Sequence, residues 1–432
     1  MLPKQQFIRG VALETSANKL QSLLDRQNNI YFLEDNSPEC LPQLSIADFR
    51  LPRYLEDLGI FCVGSPGSGK TQAISKLISQ LKQRSDFRIV CFDRNGEFTR
   101  NFYDEERDLL FNPDDSRSVG WCHNGESASH ENVAASIIPL SHHEDKFWGI
   151  SGRNLLAEIY QRVQTNSDVW YVMSKLDSDG LKELLSDSIF NKYFESEKTF
   201  SSIIASTSTY TRFYKQLRDT EHNLDFTKWA KKDDPRSLFL PLFEENAELY
   251  KPLYSMVFNL IVRGLLSNPE RNIKTAIIID ELGALQPLES LSRLLAEGRK
   301  FKACPIIATQ TTAQIDKIYG GHEKQILLQG TATKLILNCR DPRSALEMAE
   351  IIGYQEVLEE FIDRSDNRYT PTEQVNFSTI REKYTVMPSE IQSLQPLQGF
   401  LVLGNGTPVI NARLTPRNYP IIAERLIPLE EN

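Results

Sequence analysis

Three stretches of this 432-residue chain combine residue types and spacings that could do chemistry. The first is Gly64-Ser65-Pro66-Gly67-Ser68-Gly69-Lys70-Thr71. Its three glycines allow a turn tight enough for backbone N–H groups to converge on one hollow, where phosphates can sit against a helix N-terminus. Lys70 would set a mobile positive charge on the β- and γ-phosphates, and the Thr71 hydroxyl would take one coordination position on Mg2+. The pattern arises by chance in on the order of one chain in a hundred of this length. The second stretch, Thr275-Ala276-Ile277-Ile278-Ile279-Asp280-Glu281, runs unbroken hydrophobics into two carboxylates. Asp280 is placed to hold Mg2+, directly or through water, and Glu281 to polarise the water that attacks the γ-phosphorus. The third, Cys304-Pro305-Ile306-Ile307-Ala308-Thr309-Gln310, closes on an amide suited to contacting the γ-phosphate. Together they spell hydrolysis of a nucleoside triphosphate, with ATP and Mg2+ as the expected cofactors.

These groups work only if strands and helices bring them together. Leu58–Val63 reads as a buried strand and Ala73–Leu81 has helical spacing. Phe87–Asp93 is a second apolar run, so the unit is β-α-β and the sheet parallel. Ligands of such sheets gather at the carboxyl ends of the strands, where Asp93 and Glu97 fall. Leu109–Pro113, Ser237–Phe243, Lys334–Cys339 and Gly399–Gly404 add strands, the last turning at Asn405-Gly406 into Pro408-Val409-Ile410 as a hairpin. Leu249–Leu266 is a long apolar helix. A helix over Leu291–Lys302 carries Glu297-Gly298-Arg299-Lys300, from which an arginine could reach a neighbouring subunit's nucleotide.

The fold class expected is α/β: a phosphate-loop NTPase with a mainly parallel central sheet flanked by helices, plus an all-α inserted domain. Residues 1–55 form an N-terminal lead-in segment, with strand-like Val11-Ala12-Leu13 and Ile30-Tyr31-Phe32 around a helical Asn18–Gln27. The nucleotide-binding domain spans 56–124 and resumes at 226–432. Between them, 125–225 shows helical patterns and little strand signal. Residues 363–384, rich in Arg, Asp, Asn, Thr and Gln, read as an exposed loop.

Composition sets limits. A net charge of −9 argues against a chain coated in basic surface, so nucleic-acid contact must be confined to a groove, loop set or pore. No run approaches the ~18 apolar residues of a membrane span, and the N-terminus lacks a secretory core, which predicts a soluble chain. Cys40, Cys62, Cys91, Cys122, Cys304 and Cys339 never reach C-x-x-C spacing, which favours reduced, largely buried thiols. His142-His143-Glu144-Asp145 reads as a solvated helix start rather than a metal site, since adjacent residues diverge on a helix. Tyr210-Thr211-Arg212-Phe213-Tyr214-Lys215-Gln216-Leu217-Arg218 interleaves aromatics with cations as nucleic-acid platforms do; an amphipathic helix with its aromatics inward is the preferred reading.

Whole blocks also resemble one family. Phe92-Asp93-Arg94-Asn95-Gly96-Glu97-Phe98, Leu110–Trp121, Ile279–Leu285 continuing through Glu297-Gly298-Arg299-Lys300 to Gln310 and Ile318-Tyr319-Gly320, and Val386–Ile391 are similar, in order and spacing, to the conjugative coupling proteins of type IV secretion, the TrwB and TraD group. The resemblance covers roughly Arg9 to Leu414. It implies a RecA-like domain with an all-α insertion facing the cytoplasm, assembled as a homo-hexamer around a DNA-sized channel. It further implies a DNA-dependent ATPase and DNA translocase that links relaxase-bound DNA to type IV secretion components at the cytoplasmic face of the bacterial inner membrane. Lys70, Thr71, Asp280, Glu281 and Gln310 match the family's nucleotide and catalytic positions, and Arg299 its arginine finger. Two membrane helices usual in the family have no counterpart here, which leaves membrane anchoring and a monomeric alternative open. A soluble motor of the FtsK or HerA type and a nucleotide-binding adaptor without turnover are the competing readings.

Overall fold

Residues 4–32, 41–140, 145–365, 372–404 and 406–429 are described in the structure, a computed structural model. A ten-stranded sheet organises the chain. The phosphate-loop strand, Ile60–Val63, lies near its middle, between Ala303–Thr309 on one side and Thr333–Ile336 on the other. Lys274–Ile279 pairs with the far side of Ala303–Thr309, followed by Phe87–Arg94, Ser237–Leu242 and Asp108–Leu110, every one of these pairs parallel. On the other flank Gln398–Val402 runs antiparallel, then Val409–Arg413 and the two-residue strand Leu13–Glu14.

Period-two alternation explains why these strands read as continuous apolar runs. Phe61, Val63, Phe92, Ile277, Ile279 and Ile307 feed the core on one face, while Ile60, Cys62, Cys91, Ala276, Ile278 and Ile306 feed the other. A parallel strand covered on both faces has no solvent side on which to place polar residues. The first core also takes in the helix Ala247–Leu265 and helices His130–Ile137 and Lys146–Arg162; the second includes the phosphate-loop helix Lys70–Leu81 and Leu20 and Leu24 of helix Ala17–Phe32. Between strands Asp108–Leu110 and Ser237–Leu242 the described chain is helical, with Asn166–Ser174, Ser178–Leu184, Glu197–Thr211 and Phe226–Lys231 completing the α-helices.

Two expectations are corrected. Ile30-Tyr31-Phe32 continues helix Ala17–Phe32 rather than forming a strand. Leu20, Leu24 and Asn28 recur every four residues on its buried side, and that packing overrides the β-preference of the last three residues. Most of 363–384 is strand, not loop: Thr372–Tyr384 pairs antiparallel with Tyr354–Ser365, and Lys4–Gly10 adds a third strand. An antiparallel ribbon can leave one face in water, so polar residues are compatible with it. The alternation in Gln374-Val375-Asn376-Phe377 was the overlooked signal. Residues 366–371 lie outside the described set.

Of the strand-like Val11-Ala12-Leu13 only Leu13 lies in a strand, Leu13–Glu14. Cys62, Cys91, Cys122, Cys304 and Cys339 are free and buried; Cys40 lies outside the described residues. His142, His143 and Glu144 do too, while Asp145 caps helix Lys146–Arg162 by accepting from Phe147 N at 3.0 Å. The 3₁₀ turn Arg212–Gln216 buries Phe213 and Tyr214 and leaves Arg212 and Lys215 exposed, the amphipathic arrangement expected. Among the described residues no helix is long and apolar enough to cross a membrane.

After the last strand the described residues, 414–429, form no further helix or strand and run along the carboxyl edge of the sheet. They are stitched there by bonds from Leu414 N to Leu397 O, Arg417 N to Gln72 Oε1, Ile422 and Ala423 N to Arg100 O, and Ser116 N to Ile427 O.

Candidate nucleotide site

The three chemical stretches converge on one cleft of about 660 Å³ at the carboxyl ends of the central strands. Pro66, Gly67, Gly69, Lys70, Thr71, Asp280, Glu281 and Gln310 line it. Gly64, Ser65 and Ser68 are buried beneath. Their packing explains the loop's composition: a Cβ on Gly64 would stand 2.6 Å from Ser68 Oγ, and Gly69 sits at φ 117°, a left-handed value that penalises any side chain. Gly69 is also the N-cap of helix Lys70–Leu81 and offers no side chain to its first turn. The unpaired N–H groups of that turn therefore remain available to an anion.

Neighbouring strands anchor the loop. Gly64 N donates to Thr309 O at 3.3 Å, Ser65 N to Asn338 O at 2.7 Å, and Arg340 N to Ser65 Oγ at 3.0 Å. Lys70 Nζ donates to the carbonyls of Gly64 and Ser65, across the loop's own concavity.

Opposite stand the carboxylates. Desolvation first, then the charges of Asp93 and Glu281, push Asp280 up to about 7, with Lys70 offsetting part of it. Glu281, 4% exposed, is raised by burial, and Lys70 and Gln310 counter that shift. Thr309 Oγ1 donates to Glu281 Oε1 at 3.4 Å. Asp93 is fully buried behind them and pushed up to about 6 by desolvation. It accepts from Thr99 N at 2.6 Å and Thr99 Oγ1 at 2.8 Å, so it braces the turn after its strand, while Glu97 reaches the cleft. Clustered carboxyls with one nearby ammonium are short of positive charge, which is the donor chemistry a divalent cation satisfies. Thr71 and Asp280, both on the cleft wall, fit Mg2+ on that ground.

Arg299 is not part of this group. It lies exposed in the 3₁₀ turn Gly298–Phe301, which replaces the last turn expected of the Leu291–Lys302 helix. That turn precedes strand Ala303–Thr309, whose other end meets the cleft; seven residues of strand separate the two by about 20 Å. Sequence reasoning missed Gln72, Arg94, Asn95, Glu244, Pro396 and Leu397 on the cleft lining. Arg94 could have been found as the last residue of its strand, but Pro396 and Leu397 arrive from a distant loop that carries no local signal.

Comparison with known proteins agrees with this architecture. The family described as type IV secretion-system coupling protein DNA-binding domain matches residues 43–415. Coupling protein TraD of Escherichia coli (strain K12) is 29% identical over 392 residues, covering 86% of this chain and 54% of its own. The chain thus spans about half the length of the curated relative it matches. Among solved structures, the conjugative coupling protein TrwBdeltaN70 in its unbound monoclinic form superposes with a TM-score of 0.83 at 23% identity, covering 98% of this chain and 97% of that one. Plasmid coupling protein TrwB in complex with ADP and Mg2+ gives 0.82 at 23%, over 99% and 98%. The fold is therefore that of a RecA-like phosphate-loop protein.

Proposed function

The chain belongs to the type IV secretion-system coupling protein family, and from that premise we propose that it is a Mg2+-dependent, DNA-stimulated ATPase that moves DNA toward a secretion channel. The observation that carries this is the convergence of Lys70, Thr71, Asp280, Glu281 and Gln310 on one cleft. The first-turn N–H groups and Lys70 bind the triphosphate, Thr71 and Asp280 hold Mg2+, and Glu281 orients the attacking water with Gln310 beside it. Bound Mg2+ supplies Lewis-acid stabilisation of the charge on the transferred phosphoryl group. Arg299, remote from its own cleft, acts on a neighbour's nucleotide, so the working unit is a ring, in this reading a homo-hexamer around the DNA. Relaxase-bound DNA and the inner-membrane secretion components are the partners, met at the cytoplasmic face of the membrane. Segment 125–225 is the helical module, inserted between 56–124 and 226–432 of the nucleotide domain and preceded by lead-in residues 1–55.

The test is ATP turnover with and without DNA. Wild type is expected to be stimulated, and Lys70→Ala to lose both nucleotide binding and turnover. A folded wild type that binds ATP but turns it over no faster with DNA would be an adaptor rather than a motor.

DNA contact must be local on so acidic a chain. Arg212 and Lys215 stand three apart on a 3₁₀ turn, where such side chains eclipse, with Phe213 and Tyr214 buried behind them. Replacing both with alanine is expected to lower the slope of log affinity against log salt by about 1.4 for single-stranded DNA. An unchanged slope would place the phosphate contacts elsewhere.

A further inference from the structure

The cleft proposed to take a triphosphate is lined by four carboxylates, Glu97, Glu244, Asp280 and Glu281, against two cations, Lys70 and Arg94. Mg2+ relieves the deficit at Asp280; the next two strands of the sheet lead to Arg94 and Glu244, which meet each other. Arg94 is the last residue of strand Phe87–Arg94 and pairs in register with Leu242, two residues before Glu244. Asn95 and Gly96 follow at φ 73° and 69°, both left-handed, so the backbone turns away sharply while Arg94 remains on the cleft wall. Its Nη2 donates to Glu244 Oε2 at 2.6 Å, with side-chain exposures of 33% and 71%. Exposed pairs of this kind are weakly held. A triphosphate oxygen is a stronger competitor, because it offers the planar guanidinium a charge-assisted and often bidentate partner.

We propose that Arg94 is a second phosphate-binding residue of this cleft, and that Glu244 is its internal competitor, which a bound triphosphate displaces. The proposal rests on the nucleotide reading above. Glu244 opens the 3₁₀ turn Glu244–Asn246 that leads directly into helix Ala247–Leu265. The exchange of partners therefore releases Glu244 from strand Phe87–Arg94, while Asn246 Nδ2 keeps the rest of the turn tied to Asp114 Oδ2 at 2.8 Å.

The experiment is calorimetric titration of the full chain with a non-hydrolysable ATP analogue and Mg2+. Glu244→Gln removes the competitor and is expected to tighten binding by up to ~5-fold. Arg94→Ala is expected to weaken it by ~10-fold or more, with Arg94→Lys intermediate. In the double variant the benefit of Glu244→Gln disappears, leaving the affinity of Arg94→Ala alone. Native-like circular dichroism for each variant separates these effects from unfolding. A Glu244→Gln protein that binds no tighter, or a double variant in which the two effects simply add, overturns the proposal. If wild type binds, Lys70→Ala abolishes binding and Arg94→Ala changes nothing, the assignment of Arg94 fails alone. A folded wild type that binds no analogue sinks the nucleotide reading and this proposal with it.

Discussion

Glu281→Gln is expected to bind ATP as wild type does and to turn it over ~10²–10⁴ times more slowly, the usual worth of a positioned general base. The substitution keeps the size of a side chain that is almost wholly buried and faces Thr309 and Gln310, so the local packing persists. What it removes is the negative charge that, in the proposed reaction, draws a proton from the attacking water. Measured as single-turnover hydrolysis beside equilibrium nucleotide binding, the expected pattern is a collapse of rate at constant affinity. Turnover at the wild-type rate would move the base elsewhere, and the other carboxylates on the cleft are Glu97, Glu244 and Asp280.

Arg299→Ala is expected to cost ~10³-fold or more in turnover, the range for an arginine that stabilises the transferring phosphoryl group. Geometry makes this a sharper test than the magnitude alone, because Arg299 sits at the end of strand Ala303–Thr309 away from its own cleft. A subunit that lacks Arg299 but has an intact cleft, mixed with one that has Arg299 but carries Lys70→Ala, should recover part of the activity neither has alone. No recovery, or full activity of Arg299→Ala by itself, would rule out the contribution from a neighbour.

Much of the site was legible because its chemistry lies at strand ends. Gly64 to Thr71 follow one apolar run directly, Asp280 and Glu281 end a second, and Gln310 ends a third. A buried parallel strand announces itself by unbroken hydrophobics, so the first polar residue after it marks the carboxyl edge where ligands bind. The contacts of Arg94 with Glu244 and of Pro396 and Leu397 with the loop were not legible for the complementary reason. Arg94 meets Glu244 only because two strands 150 positions apart lie side by side, and Pro396 and Leu397 reach the loop through a bond from Leu397 N to Ser68 O. Neither adjacency has a local pattern. Residues 363–384 were misread because a polar strand resembles a loop in composition, and the partners of Thr372–Tyr384 in its sheet include a strand from the opposite end of the chain.

The stitched tail has a mechanical consequence. Load applied at the C-terminal end would meet its attachments in series: first the bond at Ser116, then those at Arg100, then Gln72, and finally Leu414 to Leu397, which itself holds the phosphate loop at Ser68. Such a seam opens bond by bond, so a handle attached there for pulling experiments would reach the cleft wall, at Gln72, only after the fastenings at Ser116 and Arg100 had opened.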